Sequence, residues 1–397
     1  MTDLTSVTGR VYLDHAATTP LRPEVYEAML PWLGLAADGK FGNASTLSAE
    51  GKLARQALES ARATIAQSIG ASPLEVIFNS GGTESNNALL FGITGGVRSK
   101  LGEKRGGNRI VSSAIEHHAV LEPVKALRRN GWQAELVKPT RDGLIEPAAL
   151  EALLDTVANE TTTLVSMMTV NNEIGTIQPI ANLSHISHNH GALFHTDAVQ
   201  ALGKMPFDVH QLGIDAASFS AHKIGGPKGV GAFYLRSLTP FISQQHGGGQ
   251  ERGLRSGTAN VVGAIGFAKA LELATIEQTI EVTRLNDLID RLTGKLMQSC
   301  PCVQLTVSSQ AKRLPNILSI LVEGFESESL ILKLDEQGFA ISGGSACSTG
   351  SLEPSHVLLA MGLSRKQAQS VLRISIGHST TAVQIDSFVR ALAQIVR

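Results

Sequence analysis

Short apolar runs alternate with helix-like patterns between about residues 45 and 270 of this 397-residue chain. After Ala49, apolar residues recur at the spacing of one helical face as far as Ile69, and Gly70 ends the pattern. Apolar runs typical of buried strands follow at Val76–Phe78, Arg109–Ser113, Thr163–Val170, Ala192–Thr196, Ala216–Ser220 and Gly231–Leu235. Strands that alternate with helices predict an α/β fold, in which helices cover both faces of a mainly parallel sheet.

The pattern changes after about residue 260. An amphipathic helix is predicted around Leu285–Leu296, with strand candidates at Val303–Val307, Ile317–Val322 and Val371–Ile376. This mixture is typical of a smaller α+β domain. We therefore predict that residues 1–25 form an N-terminal segment that joins the small domain, 26–265 a large cofactor-binding domain, and 266–397 the small domain.

Charge and cysteine content narrow the class of protein. The chain has 34 Lys and Arg against 35 Asp and Glu, which provides no electrostatic footprint for nucleic acid or an anionic membrane. No apolar run reaches the roughly 18 residues of a membrane helix, and the first ten residues are too polar for a signal peptide. Only Cys300, Cys302 and Cys347 are present, an odd and sparse set that indicates a reducing, cytoplasmic setting.

A glycine-containing segment, Ser80–Asn86, directly follows the Val76–Phe78 strand and opens a helix. Glycine lets the backbone approach a ligand, and a helix N-terminus offers free N–H groups to an anion. A phosphate fits this arrangement, with Thr83 adding a hydroxyl. Taken alone, the segment is equally well explained as an ordinary strand-to-helix turn capped by Thr83.

Asp197 stands at the end of another strand candidate, in the segment His195–Gln200. A carboxylate here can hold a protonated ring nitrogen and so keep a pyridine cofactor cationic. Taken alone, Asp197 is better explained as an exposed residue that caps the next helix.

Lys223 lies in a polar, glycine-rich loop that follows the strand at Ala216–Ser220. A desolvated lysine has a lowered pKa and forms an imine with a carbonyl cofactor. Ser220 and His222 flank it and can reach a phosphate. Lys228 is the competing lysine, which we interpret as a loop charge. Together, the three loops supply a phosphate cradle, an acid for a ring nitrogen and an imine lysine, in the order of a doubly wound sheet.

With these loops, the chain resembles the cysteine desulfurases of the NifS/IscS type, a fold-type-I pyridoxal-phosphate family related to the aminotransferases. The resemblance covers nearly the whole chain. It includes the segments Tyr12–Pro20, Phe41–Asn43, Glu116–His117, Val170–Gly175, Gly247–Thr258 and Ser345–Cys347. The chain departs from the usual family pattern at Ala44 and Ser48, where proline and histidine are common, at Ala221, where glycine is usual, and at Gly377-His378-Ser379.

The resemblance implies a large domain with a mainly parallel seven-stranded sheet, a smaller α+β domain, and pyridoxal 5′-phosphate as the cofactor. It also implies a reaction in which L-cysteine gives L-alanine and the sulfur is held as a persulfide on an enzyme cysteine. Lys223 would bind the cofactor and move the substrate α-proton, and His117 would stack on the ring. Cys347 would receive the sulfur, and its small, polar surroundings favour that role because apolar packing does not explain a cysteine there.

The same resemblance assigns the other contacts. Asp197 would pair with the pyridine nitrogen, and Asn172 and Gln200 would contact the substrate or the O3′ side of the ring. Arg373 would bind the substrate carboxylate, a task suited to a guanidinium, with Asn43 near the same group. The phosphate would be bound by Gly82, Thr83, Ser220 and His222, and by Thr258 from the second subunit of a homodimer.

Several alternatives stay open at this level. Within pyridoxal-phosphate enzymes these are a selenocysteine lyase, another β-elimination lyase or an aminotransferase, and outside enzymes a sulfur-delivery scaffold. The acceptor is expected to be a scaffold or thiolation protein, and the sequence does not choose between iron–sulfur assembly and thiolation of tRNA or DNA. A phosphate-binding nucleoside triphosphatase is excluded because the chain has no Gly-X-X-X-X-Gly-Lys-Ser/Thr motif.

No metal site is expected. Cys300 and Cys302 flank a proline without the usual zinc spacing, so we interpret both as structural. His185, His188 and His190 cluster in a predicted helix end with no acid nearby in the sequence, and we interpret them as a polar surface patch.

Overall fold

The computed structural model describes residues 9–34, 40–101, 107–156, 162–344 and 353–397. Its α-helices are α1 (Pro23–Met29), α2 (Ala49–Ser68), α3 (Gly82–Leu101), α4 (His118–Arg129), α5 (Pro147–Asp155), α6 (Ile180–Asn189), α7 (Val261–Ser299), α8 (Ser327–Glu336), α9 (His356–Ala360), α10 (Arg365–Ala368) and α11 (Ala382–Ile395). Its strands are β1 (Val11–Tyr12), β2 (Val76–Asn79), β3 (Arg109–Ser113), β4 (Gln133–Val137), β5 (Thr162–Ser166), β6 (Leu193–Asp197), β7 (Ala216–Ser220), β8 (Gly231–Leu235), β9 (Val303–Leu305), β10 (Ile317–Val322), β11 (Phe339–Ala340), β12 (Ser342–Gly343) and β13 (Val371–Ser375).

Seven strands form the main sheet, in the order β2-β8-β7-β6-β5-β3-β4. The pairs β3–β4, β3–β5, β5–β6 and β6–β7 are parallel, and only β8 runs against its two neighbours. Strands β2, β3, β6, β7 and β8 are buried along nearly their whole length, as expected of a sheet covered on both faces. The predicted mainly parallel, seven-stranded α/β architecture is therefore confirmed.

Helix α2 shows how local sequence sets the elements around this sheet. Its N-cap is Ser48, whose Oγ accepts a hydrogen bond from Gly51 N at 3.2 Å, so the departure from the family's histidine supplies a helix cap. Its apolar stripe, which includes Leu58 and Ile65, is buried, and Gly70 ends the helix region with φ +70°. Leu53, which the periodicity predicts on the buried face, is instead 37% exposed.

One strand of the main sheet has no counterpart among the sequence-based candidates. Strand β4 pairs with β3 alone and lies at the edge of the sheet. Most of its residues are exposed or half-buried, and only Val137 is buried, so it lacks the continuous apolar run of the inner strands. The candidate Thr163–Val170 is also too long, because β5 ends at Ser166 and the chain then turns into the site.

The C-terminal part of the chain forms a smaller antiparallel sheet, in the order β12-β13-β10-β9. The N-terminal strand β1 pairs in parallel with β11, which connects the start of the chain to this part. The 39-residue helix α7 places residues such as Phe267 in the large core and residues such as Leu292 in the smaller core. Because α7 begins at Val261, it runs across the predicted limit at 265/266, and the domain limits remain a prediction.

Candidate active site

Five strands of the main sheet end at the same edge of the sheet. At the ends of β2, β3, β5, β6 and β7 the chain continues into the segments that carry the candidate site residues. These five strands run in the same direction, so their carboxyl ends lie at one edge. Ligands of open α/β sheets bind at this edge.

A cleft of about 370 Å³ lies there. Nearly all of the predicted site residues line it together. They are Gly82, Thr83, His117, Asn172, Asp197, Gln200, Ser220, His222, Lys223 and Arg373. The structure thus brings together residues that are up to 291 positions apart in the sequence, from Gly82 to Arg373.

Lys223 follows β7 in a short 3₁₀ turn (Ala221–Lys223) and is partly buried. Its Nζ donates hydrogen bonds to the carbonyl oxygens of Ala16 and Ala17, each at 2.7 Å. The N-terminal segment therefore holds the amine at the floor of the cleft. A primary amine fixed in this way is placed to react with a carbonyl group in the cleft.

Asp197 ends β6 and is only 6% exposed, so the interpretation as an exposed cap is wrong. Its Oδ2 accepts from Asn86 Nδ2 at 2.7 Å, and its Oδ1 accepts from Val199 N at 3.0 Å. These two donors fix the orientation of the carboxyl group. A buried, fixed carboxylate of this kind can hold a protonated pyridine nitrogen.

An adjoining cleft of about 430 Å³ continues from the first and shares Gly82, Thr83, Ser220 and His222 with it. It lies at the N-terminus of α3, a 20-residue helix. Gly81 has φ +142°, a conformation that side chains rarely adopt, and a Cβ on Gly82 would lie 2.7 Å from Val199 Cγ2. Both glycines are therefore needed for the close approach of the helix start to the cleft, which is a suitable place for a phosphate.

His117 is the N-cap of α4, and its Nδ1 accepts a hydrogen bond from Ala119 N at 3.0 Å. Burial lowers the pKa of the imidazole, and this outweighs the opposing attraction of Asp197. A neutral imidazole whose Nδ1 accepts a hydrogen bond carries its proton on Nε2. His117 thus lies over the cleft as a neutral ring with one defined donor nitrogen.

Arg373 lies in β13 and is 1% exposed. Its Nη1 donates to the carbonyl oxygen of Asn172 at 3.0 Å, and its Nη2 donates to Asp14 Oδ1 at 2.8 Å. Its Nε has no hydrogen-bond partner in the described part of the chain. A buried guanidinium with an unused donor at the wall of a cleft is suited to bind a carboxylate.

Two predicted residues of the described ranges do not take part in this assembly. Asn43 is exposed, and its Oδ1 accepts from Ser45 N at 2.9 Å in a local turn. Thr258 is exposed and lines neither cleft of its own chain. Cys347 lies outside the described residues.

The structure adds site residues that the sequence did not indicate. Asn86 supports Asp197, Asp14 supports Arg373, and Lys228, which we interpreted as a loop charge, lines the second cleft although it is exposed. Asn86 lies within the Ser80–Asn86 segment, where its place one helical turn after Gly82 is the only available signal.

The donor set fits pyridoxal phosphate. The helix start at Gly82, with Thr83, Ser220 and His222, suits the phosphate, Asp197 the ring nitrogen and Lys223 the carbonyl carbon. The buried Oδ1 of Asn86 and Nε of Arg373, both in residues that line the first cleft, have no hydrogen-bond partners among the described residues. Buried polar atoms are normally paired, so unpaired ones at a cleft wall indicate that a polar ligand belongs there.

The remaining cysteines and histidines contribute no further site. Cys300 is fully buried in the smaller core, and Cys302 packs against it, in agreement with a structural role. His188 contacts Asp215 at 2.7 Å and His190 contacts Asp155 at 2.9 Å, so two of these histidines have an acid beside them in the fold that their sequence surroundings did not indicate. Within the described ranges, His, Cys, Asp and Glu side chains form no group of three that would hold a metal ion. No helix there has the length and apolar character needed to span a bilayer.

Comparison with known proteins agrees with the geometry. Residues 11–388 match the family model of the class-V aminotransferases, and the chain belongs to this family. It is 44% identical to the cysteine desulfurase IscS of Dictyoglomus turgidum over 386 residues, which are 97% of this chain and 94% of the relative.

Solved structures show the same relationship. A NifS-like protein superimposes with a TM-score of 0.88 at 36% identity, covering 98% of this chain and 99% of that protein. A structure described as SspA in complex with cysteine gives a TM-score of 0.78 at 32% identity, over 92% and 98% of the two chains. The resemblance to the cysteine desulfurases, the fold and the pyridoxal-phosphate cofactor predicted from the motifs are thereby confirmed.

Proposed function

We propose that the chain is a pyridoxal-phosphate-dependent cysteine desulfurase, which converts L-cysteine to L-alanine and receives the sulfur as a persulfide on Cys347. The observation that carries the proposal is the single cleft in which Lys223, Asp197, His117 and Arg373 meet. An imine-forming lysine, a ring-nitrogen acid, a neutral imidazole and a carboxylate-binding guanidinium are the groups that such a reaction on an amino acid requires. Their separation in the sequence makes a chance assembly a poor explanation.

The substrate would be held by its carboxylate. Arg373 is buried, and Asp14 and Asn172 orient its two terminal nitrogens. A fixed guanidinium distinguishes an α-carboxylate from a neutral group and sets the direction of the substrate in the cleft. Asn172 also lines the cleft and would contact the same part of the substrate.

The proton at the substrate Cα would be removed by Lys223. Pyridoxal phosphate, when bound, supplies the electron sink that accepts the negative charge left at this carbon. Asp197, whose buried carboxylate is fixed by two hydrogen-bond donors, would pair with the ring nitrogen and favour its protonated form. His117, with its proton on Nε2, would give and take protons within the same cleft.

The sulfur would leave by attack of the Cys347 thiolate on the substrate Sγ. An S–S bond forms as the Cβ–S bond breaks, and the electron pair left on Cβ takes up a proton, so L-cysteine and a thiol give L-alanine and a persulfide. No external oxidant is needed for this balance. The role of Cys347 rests on the resemblance and on its polar sequence surroundings.

A homodimer would complete the phosphate site. Thr258 is exposed on its own chain, which supports the expectation that it serves the neighbouring subunit. The persulfide would then pass to a sulfur-acceptor protein, a scaffold for iron–sulfur clusters or a thiolation protein, in the cytoplasm. The iron–sulfur pathway is favoured by the IscS name of the relatives, and the substrate by the cysteine named in the SspA structure.

The decisive experiment is a single turnover of the purified, cofactor-loaded protein with L-cysteine. Alanine is quantified, and mass spectrometry of the Cys347 peptide reads the added sulfur. We expect one alanine and one persulfide per site, both abolished in Lys223→Ala, and persulfide abolished in Cys347→Ser. Cys302→Ser is the matched control, because Cys302 packs against the smaller core and should leave both products unchanged.

The same experiment separates the rival enzymes. Alanine without a persulfide on Cys347, at the same rate in Cys347→Ser, would contradict the persulfide step and indicate a lyase that releases the sulfur in elemental form, since L-cysteine and L-alanine differ by one sulfur atom. Pyruvate in place of alanine would indicate a β-elimination lyase, and transfer of the amino group to a keto acid would indicate an aminotransferase.

A further inference from the structure

Lys204 lies one helical turn after Gln200, in the turn that follows β6. Its Nζ donates a hydrogen bond to Gln200 Oε1 at 2.7 Å. Gln200 is 4% exposed and lines the cofactor cleft, and its Nε2 donates to the carbonyl oxygen of Ala16 at 3.0 Å. Lys204 therefore reaches the cleft through one intervening side chain.

These contacts allow the Gln200 amide only one orientation. The ammonium of Lys204 has donors and no acceptor, so it requires the amide oxygen. The carbonyl of Ala16 is an acceptor, so it requires the amide nitrogen. A flipped amide would place two donors against each other and two acceptors against each other. The hydrogen bond from Lys204 therefore fixes the Gln200 amide with its nitrogen toward Ala16.

The carbonyl oxygen of Ala16 also accepts from Lys223 Nζ at 2.7 Å. Lys204, Gln200, Ala16 and Lys223 thus form a continuous hydrogen-bonded chain. Ala16 is 1% exposed, so water does not compete freely for this carbonyl. A change at Lys204 would reach the cofactor lysine through three hydrogen bonds.

Lys204 and Lys223 also both line a separate cavity of about 210 Å³, distinct from the two clefts described above. It lies on the side of the N-terminal segment and α7. The walls of this cavity are mostly apolar, and its other titratable groups are His15, Arg22, Glu277, Glu281 and His378. Arg22 pairs with Glu277 at 2.6 Å, and Arg284 pairs with Glu281 at 2.6 Å. Among the described residues, no carboxylate forms an ion pair with Lys204, so its charge is not neutralised locally.

The electrostatic consequences are visible on both sides of Lys204. Burial, and after it the charge of Lys223, lowers the pKa of Lys204 to about 7. Burial, and after it the charge of Lys204, lowers the pKa of His15 to about 4. Burial lowers the pKa of His222 to about 4, with Lys223, Lys204 and Lys228 adding to the effect. A second cation near an amine disfavours protonation of that amine, which is how some catalytic lysines are kept nucleophilic.

We propose that Lys204 is a positioning residue for the cofactor lysine: it fixes the Gln200 amide against Ala16 and, in its protonated form, places a positive charge near Lys223. Through these contacts it keeps the Lys223 amine in place and favours its unprotonated form, which the first covalent step and proton transfer both need. The inference rests on the proposed function only in taking Lys223 as the lysine that binds the cofactor.

The test measures Lys223 directly, without turnover. Cofactor-free protein is labelled with an amine reagent at a series of pH values, and the Lys223 peptide is quantified by mass spectrometry to give the midpoint of its reactivity. In parallel, the absorbance of the bound cofactor is titrated with pH in the absence of L-cysteine. Persulfide formation enters neither measurement, so failure of the desulfurase assay and failure of this inference are distinguishable.

In Lys204→Met we expect both midpoints to rise by about one pH unit, because a neighbouring positive charge has been removed. Lys204→Arg keeps the charge and the donor and should restore the midpoints of the unmodified protein. Lys333→Met, a lysine exposed on α8, is the matched control and should change neither. If Lys204→Met does not fold, Lys204→Gln removes the charge while keeping a donor, and the same upward shift is expected.

Unchanged midpoints in a folded, charge-free variant would overturn the inference, even if that variant melts at a lower temperature. In that case Lys204 would only stabilise the turn after β6. A shift in Lys204→Met that Lys204→Arg fails to reverse would also overturn it, because the effect would then follow packing and not charge.

Discussion

Asp14 Oδ1 accepts a hydrogen bond from Arg373 Nη2 at 2.8 Å, across 359 positions of the sequence. The Arg373 side chain is 2% exposed and that of Asp14 is 16% exposed, so the pair is largely withdrawn from water. The N-terminal segment thereby holds the guanidinium of the smaller sheet at the cleft.

Replacing Asp14 by Asn should destabilise the protein by about 3 kcal/mol, because a buried guanidinium loses its counter-charge. Denaturant unfolding of the cofactor-free chain measures this loss. Asp335→Asn removes the partner of Arg10 in a more exposed ion pair and is the matched control, with a loss below about 1 kcal/mol. Equal losses in the two variants would contradict the role of burial.

Arg373→Lys should raise KM for L-cysteine by about 10- to 100-fold with a smaller change in kcat, since an ammonium cannot replace the two-pronged grip on a carboxylate. Steady-state alanine formation gives both constants. Arg365→Lys alters an exposed ion pair with Glu353 and should leave both unchanged. A loss confined to kcat would place Arg373 in the chemistry and not in substrate binding.

Asn86→Ala should weaken pyridoxal-phosphate binding by about 10-fold, because Asp197 loses the amide that stabilises its carboxylate. Equilibrium titration of the cofactor-free protein, followed by absorbance, measures the affinity. Asn87→Ala is the matched control, since the neighbouring amide is exposed and donates to the Thr83 carbonyl within α3. An affinity equal in both variants would separate Asn86 from the cofactor.

Glu116 predicts a pH dependence of stability. The side chain is fully buried, Ser113 Oγ donates to its Oε1 at 2.5 Å, and burial raises the pKa of the carboxyl group to about 8. Between its unfolded pKa near 4.5 and about pH 8, the folded state binds more protons than the unfolded state, so stability should fall as pH rises.

Glu116→Gln mimics the protonated side chain and should flatten this decline. The measurement is the thermal unfolding midpoint from pH 5 to 8 in both proteins. Glu328→Gln, at an exposed position on α8, should keep the slope of the unmodified protein. Parallel pH profiles for Glu116→Gln and the unmodified protein would show that Glu116 is already ionised in the fold.

The sequence located much of the site because strand ends have a direction. Lys223, Asp197 and Thr83 each follow an apolar run that reads as a buried strand, and parallel strands bring such positions to one edge. The substrate side could be assigned only by resemblance, because Arg373 belongs to a different sheet. Nothing in local periodicity brings its strand to the cleft.

The side-chain contacts that support the site residues could not be predicted either, because they join segments that are distant in the sequence. Asn86 and Asp197 are 111 positions apart, and His188 meets Asp215 only because α6 packs beside the strands. The edge strand β4 was not predicted because its residues are mostly half-buried or exposed, so its sequence lacks the continuous apolar run of a buried strand. Local patterns report what a segment buries, and they carry no information about which distant side chain it meets.

Helix α7 is expected to couple the unfolding of the two hydrophobic cores. At 39 residues it is about 58 Å long, and it contributes buried side chains to both the large and the smaller core. If either core unfolds, one half of this continuous helix loses its packing contacts. The two cores are therefore expected to melt in one cooperative transition, and a short insertion of glycines near its middle should split that transition into two.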